Sequence, residues 1–171
     1  MRNKVGNKLP PIKNQQACGS CYAFAATTSL EYSLALSKLS AHQYTGPLSP
    51  QEFVDCTGGT NQGCEGGFPS TCFGYAAEYG VMRERDYPYQ AVQGSCQAYD
   101  YINNSMPSDY AYTIEGDYDS MMHATVNFGA ISVGIEASGL QDYSTGIFGK
   151  TSASCGFQPN HAVVIVSLIH I

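Results

Sequence analysis

The chain has 171 residues, enough for one domain or two small lobes around a sizeable apolar core. Eight basic and fourteen acidic side chains give a net charge of −6 without any Lys/Arg cluster, which argues against nucleic acid as a partner. We also expect no membrane span and no signal peptide, because no apolar run has the required length. The seven cysteines are an odd number, so disulfide pairing would leave at least one thiol free.

The first half of the sequence predicts helices separated by loops rich in Gly, Pro and Cys. Apolar residues at helical spacing predict a buried helix over about 21–39. The pattern Leu-Ser-Pro-Gln-Glu at 48–52 is typical of a capped helix start and predicts a short helix to about residue 56. Residues 57–67 contain five glycines and predict irregular structure. A helix over 69–79 follows, and we expect mainly loops from there to about residue 110.

The second half predicts one helix and then strands. Asp117 or Asp119 can cap a helix whose body covers 120–128. The runs 130–137 and 161–169 are rich in β-branched residues and predict two strands. The second run is so continuously apolar that we expect it in the centre of a sheet.

The character of the sequence changes around residues 100–115, which predicts two lobes. We expect a single domain over 1–171 with a helical lobe over about 10–110. A β lobe would cover about 111–171 and include residues 1–9. A helical lobe followed by a β lobe is an α+β pattern.

The most informative segment is residues 14–24, which read Asn-Gln-Gln-Ala-Cys-Gly-Ser-Cys-Tyr-Ala-Phe. Cys-Gly-Ser-Cys-Tyr at the start of a helix is the local signature around the nucleophile of papain and the cathepsins. Further motifs of that family follow in order along nearly the whole chain: LSPQE at 48–52, VDC at 54–56, GCEGGFP at 63–69, YPY at 87–89, GIF at 146–148 and NHAV at 160–163. The chain therefore resembles the papain-like cysteine peptidases. Tyr22 and the run 63–69 lean towards the cathepsin C branch.

The resemblance implies a two-lobed papain-like peptidase domain with Cys21 as the nucleophile and His161 as its partner. The positive end of the helix dipole favours the thiolate of a cysteine at a helix start. His161 lies about 140 residues downstream, within the spacing of the family. It would pair with the thiolate and later protonate the leaving amine. The backbone N–H of Cys21 and, by resemblance, the side-chain amide of Gln15 would hold the oxyanion.

The cysteines around the motif allow three interpretations. A thioredoxin-like Cys18-x-x-Cys21 motif would follow a strand, and no strand precedes it. A zinc site built from Cys18, Cys21, Cys56 and Cys64 would need a knuckle pattern that the Gly-rich loop lacks. The resemblance instead implies the disulfides Cys18–Cys64 and Cys56–Cys96, which leave Cys21 free. We expect neither a metal nor a cofactor.

Two cysteines remain outside this scheme. Cys72 has no family partner, and we expect it to be a buried free thiol. Cys155 matches a family cysteine whose partner would lie past residue 171.

A substrate would lie extended between the lobes. Gly66 and Gly67 would let a peptide backbone approach closely. The resemblance implies that five positions line the pocket for the side chain second from the cut bond: Phe68, Pro69, Gly134, Asn160 and Ala162. We expect an apolar or aromatic residue there. The implied partners are peptide or protein substrates and cystatin-like inhibitors.

The sequence departs from the family after His161. The family places an Asn that orients the imidazole on a later strand, but the ten residues after His161 contain no Asn, and the chain has no Trp. Asn160 does not substitute simply, because adjacent strand residues point to opposite faces. We therefore expect a C-terminally truncated β lobe, and we expect that the inhibitory prosegment of a zymogen is also missing.

Two functions remain open at this point. The first is a cysteine endopeptidase that acts through a Cys-His dyad and an acyl-enzyme. The alternative is an inactive fragment or a non-catalytic relative that binds peptides or inhibitors. The acidic pI of about 5.0 and the implied disulfides favour a lysosomal or secreted location.

Overall fold

A computed structural model gives the fold and describes residues 12–36, 46–98, 107, 109–148, 156 and 158–167. Its elements in chain order are the helices α1 (Cys21–Leu36), α2 (Pro50–Cys56), α3 (Pro69–Tyr79) and α4 (Tyr118–Phe128), followed by the strands β1 (Ile131–Ile135) and β2 (His161–Ile165). Helices followed by a small antiparallel sheet confirm the predicted α+β class. No helix in the described residues is long and apolar enough to cross a membrane.

Local capping explains where two of the helices begin. The Ser49 side chain accepts a hydrogen bond from Glu52 N at 3.1 Å and caps α2, as the sequence predicts. The cap of α4 is Asp117 and not Asp119. The Asp117 Oδ1 atom accepts hydrogen bonds from Asp119 N at 3.0 Å and from Ser120 N at 3.3 Å. Because Asp117 is the cap, α4 starts two residues before the predicted helix body.

Helix α1 lies at the centre of the molecule. It packs against α2, α3 and both strands. Nine of its residues are buried on more than one side of the helix: Tyr22, Ala23, Ala25, Ala26, Thr27, Ser29, Leu30, Glu31 and Tyr32. Burial on several sides explains why apolar residues are not confined to one stripe of this helix. The first residue of the most enclosed helix is Cys21, so the backbone beneath the predicted nucleophile is firmly held.

The strands form an antiparallel pair whose register runs from Ile131 opposite Ile165 to Ile135 opposite His161. Both strands are shorter than the predicted runs 130–137 and 161–169. Ile165 already lies opposite Ile131, the first residue of β1, so the pairing ends there. Residues 168 and 169 of the second predicted run lie outside the described residues. Within the described part of the chain β2 pairs only with β1, so its central place in a sheet stays a prediction.

Candidate active site

Cys21 is a free, half-buried cysteine at the first position of α1. Ala23 N and Phe24 N donate to the Ser20 carbonyl at 2.9 and 3.2 Å, which closes the first turn of the helix. Within the described residues no acceptor takes a hydrogen bond from the Cys21 N–H. This donor and the positive end of the helix dipole therefore remain available beside the thiol.

The Gln15 side chain is held against the residues that precede α1. Its Nε2 atom donates to the Cys18 carbonyl at 3.0 Å, which uses one of the two amide hydrogens and leaves the other for a further acceptor. A tight turn follows, in which Gln16 N donates to Asn14 Oδ1 at 2.8 Å. Gln16 has a φ of 55°, a left-handed conformation that a residue with a side chain rarely adopts.

A disulfide joins the start of α1 to the Gly-rich loop. Cys18 is bonded to Cys64, and Gly19 N donates to the Cys64 carbonyl at 2.8 Å. A Cβ atom at Gly19 would collide with that carbonyl oxygen, so only glycine fits between the disulfide and the nucleophile. The second disulfide joins Cys56 to Cys96. The structure thus contains both disulfides that the resemblance implies.

The loop that carries Gly66 and Gly67 is ordered by a single turn of 3-10 helix at Gly63–Glu65. The prediction of wholly irregular structure over 57–67 was wrong at that turn. Gly66 has a φ of 113°, and no atom lies within 4 Å of the position where its Cβ would stand. The backbone at Gly66 is therefore open to a close approach from outside.

A cavity of about 1350 Å³ lies between α1, the start of α3, residues 109–114, α4 and β1. Three of the predicted pocket residues line it, namely Phe68, Pro69 and Gly134. Phe68 is 59% exposed, which is unusual for so large an apolar side chain next to a cavity. The described lining of this cavity does not include Asn160 or Ala162.

His161 is the first residue of β2 and lies opposite Ile135. Its strand packs against α1, and Ala162 contacts the central apolar cluster. The two elements that carry Cys21 and His161 are thus in contact. Among the described residues no hydrogen bond joins the free Cys21 thiol to the imidazole, so their pairing stays a prediction.

The Asn160 amide is committed to the turn that follows β1. Its Oδ1 atom accepts from Ala137 N at 2.8 Å, and its Nδ2 atom donates to Glu136 Oε1 at 3.2 Å and to Ser138 Oγ at 3.1 Å. Hydrogen bonds from Ser138, then Gly156 and Asn160, hold the pKa of the Glu136 carboxyl below its ordinary value. Asn160 therefore ties the two strands together at this end.

Comparison with known proteins identifies the family. The model of the papain family of cysteine proteases matches residues 1–168. The chain belongs to this family. It is 37% identical over 157 residues to fruit bromelain of Ananas comosus, covering 91% of this chain and 42% of that protein. It is also 38% identical over 161 residues to cathepsin S of Bos taurus, covering 91% of this chain and 46% of that protein.

Solved structures of the papain family share the fold. Digestive procathepsin L 3 of Tenebrio molitor larval midgut matches with a TM-score of 0.83 and 34% identity, covering 94% of this chain and 52% of that one. The cysteine protease CMS1MS2 of Carica candamarcensis, in complex with E-64, matches with a TM-score of 0.74 and 28% identity, covering 92% and 71%. The chain spans about half the length of the first curated relatives that it matches.

Asn61, which no sequence motif singles out, supports the Gly-rich loop of this papain-family chain. Asn61 is buried, accepts from Phe68 N at 2.7 Å and donates to Thr57 Oγ1 at 2.9 Å. It also donates to the Cys72 thiol at 3.4 Å. Cys72 is a buried free thiol, as predicted, and burial raises its pKa to about 12. Cys155, whose predicted partner would lie past residue 171, is outside the described residues.

Tyr89 belongs to the Tyr87-Pro88-Tyr89 motif, and the motif alone predicts no role for it. The Tyr89 hydroxyl lies 2.7 Å from the Gln15 carbonyl oxygen and 2.6 Å from Ser20 Oγ. The hydroxyl therefore bonds to one residue before Cys18 and to one residue after it. Only the position of Tyr89 within a family motif could have pointed to it, because 74 residues separate it from Gln15.

In the described ranges no three His, Cys, Asp or Glu side chains form a group that could hold a metal ion. The expectation that the chain uses neither a metal nor a cofactor stays a prediction.

Proposed function

We propose that this chain is a cysteine peptidase in which Cys21 forms the acyl-enzyme and His161 moves the proton. The observation that carries the proposal is a free thiol at the start of α1, with the Cys21 N–H and one Gln15 amide hydrogen unused beside it. Membership of a family of cysteine proteases supports it. The packing of β2 against α1 supports His161 as the partner.

The proposed reaction has two steps. The Cys21 thiolate attacks the peptide carbonyl carbon, and the carbonyl electrons move to oxygen, where the Cys21 N–H and Gln15 Nε2 would donate to the oxyanion. When the oxyanion collapses, the C–N bond breaks and the His161 imidazolium protonates the leaving amine. His161 then takes a proton from water, whose oxygen attacks the thioester and releases the acid and the free thiol.

The test uses E-64, the compound in the complex of the Carica protease. The folded chain is incubated with E-64 under mild reduction at acidic pH, and the adduct is located by peptide mass mapping. We expect an adduct at Cys21 and none at Cys72, because the Cys72 thiol is buried and protonated. His161→Ala should abolish labelling, whereas Asn127→Ala should not, because Asn127 is exposed on α4 and does not line the cavity.

The alternative function predicts a different result. A folded sample that is not labelled at Cys21 would contradict the peptidase and favour a non-catalytic relative that binds peptides or inhibitors. Labelling that survives His161→Ala would leave the nucleophile in place but contradict the role of His161. Circular dichroism on each sample separates these outcomes from misfolding.

We further propose an endopeptidase that accepts an apolar or aromatic residue second from the cut bond. The apolar side chains of Phe68 and Pro69 at the cavity support this preference, and the open backbone at Gly66 supports extended binding of a substrate next to it. The proposed cleft lies between a lobe over 10–110 and a lobe over 111–171. Gly67, Asn160 and Ala162 remain predicted members of the site.

Cleavage mapping on an unfolded protein substrate tests the mode and the preference together. We expect cuts inside the substrate chain, with an apolar or aromatic residue at the position second from each cut bond. Release of N-terminal dipeptides would instead favour the cathepsin C branch, and a charged residue at the second position would contradict the pocket. A cystatin-like inhibitor, if it occupies the same cleft, should slow both cleavage and labelling by E-64.

We propose a lysosomal or secreted location for the protein. Two disulfides support an oxidising compartment, because thiols are kept reduced in the cytosol. To test this proposal, the protein is alkylated before it is purified from the cells or fluid that produce it, and its cysteine peptides are then identified by mass mapping. Disulfide-linked peptides are expected, and reduced Cys56 and Cys96 would contradict it.

A further inference from the structure

We propose that Tyr89 is a positioning residue for the reaction, and that its hydroxyl holds the two proposed oxyanion donors at a fixed separation. The hydroxyl bonds to the backbone of Gln15 on one side and to Ser20, the residue before Cys21, on the other. This inference rests on the proposed function of Gln15 and Cys21. It adds a residue that contacts neither the substrate nor the reacting atoms.

The direction of both hydrogen bonds follows from the chemistry of the three groups. The Gln15 carbonyl can only accept, so the single proton of the Tyr89 hydroxyl goes to it over 2.7 Å. Ser20 Oγ lies 3.4 Å from the Cys18 carbonyl oxygen and only 2.6 Å from the Tyr89 oxygen, so its proton goes to Tyr89. Two hydrogen bonds thus run in one direction, from Ser20 to Tyr89 and from Tyr89 to Gln15.

Tyr89 itself is anchored from two directions. Its ring packs edge to face against Phe24 on α1, with ring centroids 4.8 Å apart. Its backbone N–H donates to Glu84 Oε1 at 2.8 Å. Burial raises the pKa of the Tyr89 phenol, so the hydroxyl keeps its proton and remains a donor to Gln15 across the neutral range. The hydroxyl is thus a fixed point relative to α1.

The bond to Tyr89 also controls what Ser20 does. A serine in this place commonly turns its hydroxyl onto a backbone N–H in the first turn of the helix. Here the Ser20 carbonyl accepts from the first turn, and the hydroxyl is directed to Tyr89. Loss of the Tyr89 hydroxyl would free Ser20 to turn onto the helix and would release Gln15 from its fixed position. Both changes would disturb the proposed oxyanion site without altering the binding surface for the substrate.

The test compares Tyr89→Phe with Tyr87→Phe. Tyr87 is a matched control because its hydroxyl also makes two bonds, to Asp55 Oδ2 at 2.8 Å and from Gln97 N at 3.1 Å, away from the nucleophile. We expect Tyr89→Phe to lower kcat for peptide hydrolysis about 10-fold with little change in KM, since small displacements of reacting groups cost rate rather than binding. Tyr87→Phe should leave kcat almost unchanged. An equal fall of kcat in both variants would overturn the proposal.

A second readout does not depend on peptidase activity. Amide hydrogen exchange in the peptide that covers residues 15–21 should become about 10-fold faster in Tyr89→Phe, the effect of losing about 1.4 kcal/mol of local stability, and stay unchanged in Tyr87→Phe. Alkylation of Cys72 by iodoacetamide reports global unfolding, because that thiol is buried. If the parent chain does not hydrolyse peptides, the proposed function fails. Unchanged exchange at 15–21 in Tyr89→Phe would overturn the positioning role whether or not the parent chain hydrolyses peptides.

Discussion

The described residues within 12–98, the first region, and those within 109–167, the second region, hold their side chains in different ways. The first region contains both disulfides and nearly all the buried apolar side chains, centred on residues such as Tyr22 and Phe53. In the described part of the second region the buried residues are Thr125, Gly129 and Ala130. Large apolar side chains there are exposed instead, with Tyr118 at 78% and Phe128 at 69%.

The two regions meet along α1 and, through the ring contact of Phe73 with Tyr110, at α3. Both strands of the second region pack against α1, and Ser29 Oγ lies 2.8 Å from Ser132 Oγ across that contact. The first region therefore fixes the backbone around Cys21 by itself. The second region contributes His161 from a strand whose position depends on α1. We infer that changes in the first region act on global stability, whereas equivalent changes in the second region have small effects.

A pair of phenylalanines gives the largest expected contrast. Phe53 is fully buried in α2, and Phe53→Ala should lower the free energy of unfolding by about 3–5 kcal/mol through lost contacts and a cavity. Phe128→Ala at the end of α4 should cost less than about 1 kcal/mol. Urea unfolding followed by circular dichroism measures both. Equal losses would show that the second region is as tightly packed as the first.

Two helix caps sharpen the contrast at a smaller scale. Ser49 is buried, caps α2 and donates to the Tyr87 carbonyl at 2.6 Å, so Ser49→Ala removes two bonds and should cost about 2 kcal/mol. Asp117 caps α4 near the surface, and Asp117→Ala should cost about 0.5–1 kcal/mol. Thermal unfolding ranks the two variants. The reverse order would contradict the assignment of global stability to the first region.

The pH dependence of stability gives the smallest expected effect. Burial raises the pKa of three carboxyls, all in the first region: Glu31, Glu52 and Glu84. An acid with a raised pKa in the folded state binds its proton more tightly when folded. Its stabilising contribution is therefore complete below the unfolded pKa, near 4.5, and is lost as the pH rises through the folded pKa.

Glu52 offers the clearest test of this dependence. Its carboxylate accepts from Met82 N and from the Tyr75 hydroxyl, and a glutamine can keep both contacts by reversing the second one. We expect the parent chain to lose stability between pH 4.5 and neutral pH and Glu52→Gln to lose less. Glu65→Gln, at an exposed position, should follow the parent chain. A parent chain whose stability rises over this range would contradict the prediction.

The sequence predicts elements well where the signal is local. Ser49 and Pro50 start α2, Pro69 starts α3 and Gly80 follows its last residue, all as the pattern indicates. Strand ends depend on pairing with a distant partner, so the predicted runs at 130–137 and 161–169 are too long. Their apolar residues continue past the point where the other strand ends.

The residues of the candidate site also differ in whether a local sequence signal is enough to predict them. Cys21 and Gln15 belong to one short motif, and local spacing is enough to single them out. Tyr89 acts through bonds to residues that are distant in sequence, since 69 residues separate it from Ser20 and 74 from Gln15. No periodicity or cap rule reports such a bond. The pairing of Cys21 with His161 joins two lobes and stays a prediction that the labelling experiment tests.

The disulfides have one further consequence, for self-digestion. A protease can cleave its own copies, and a Gly-rich surface loop such as 57–67 is a common site of proteolytic cleavage. Cys56 stands just before this loop and Cys64 within it, each bonded to a different part of the chain, and Asn61 fastens the middle. To fit the extended shape of a substrate, the loop would first have to detach from these anchors. If the chain is the peptidase proposed above, these anchors would therefore also protect the loop from autolysis.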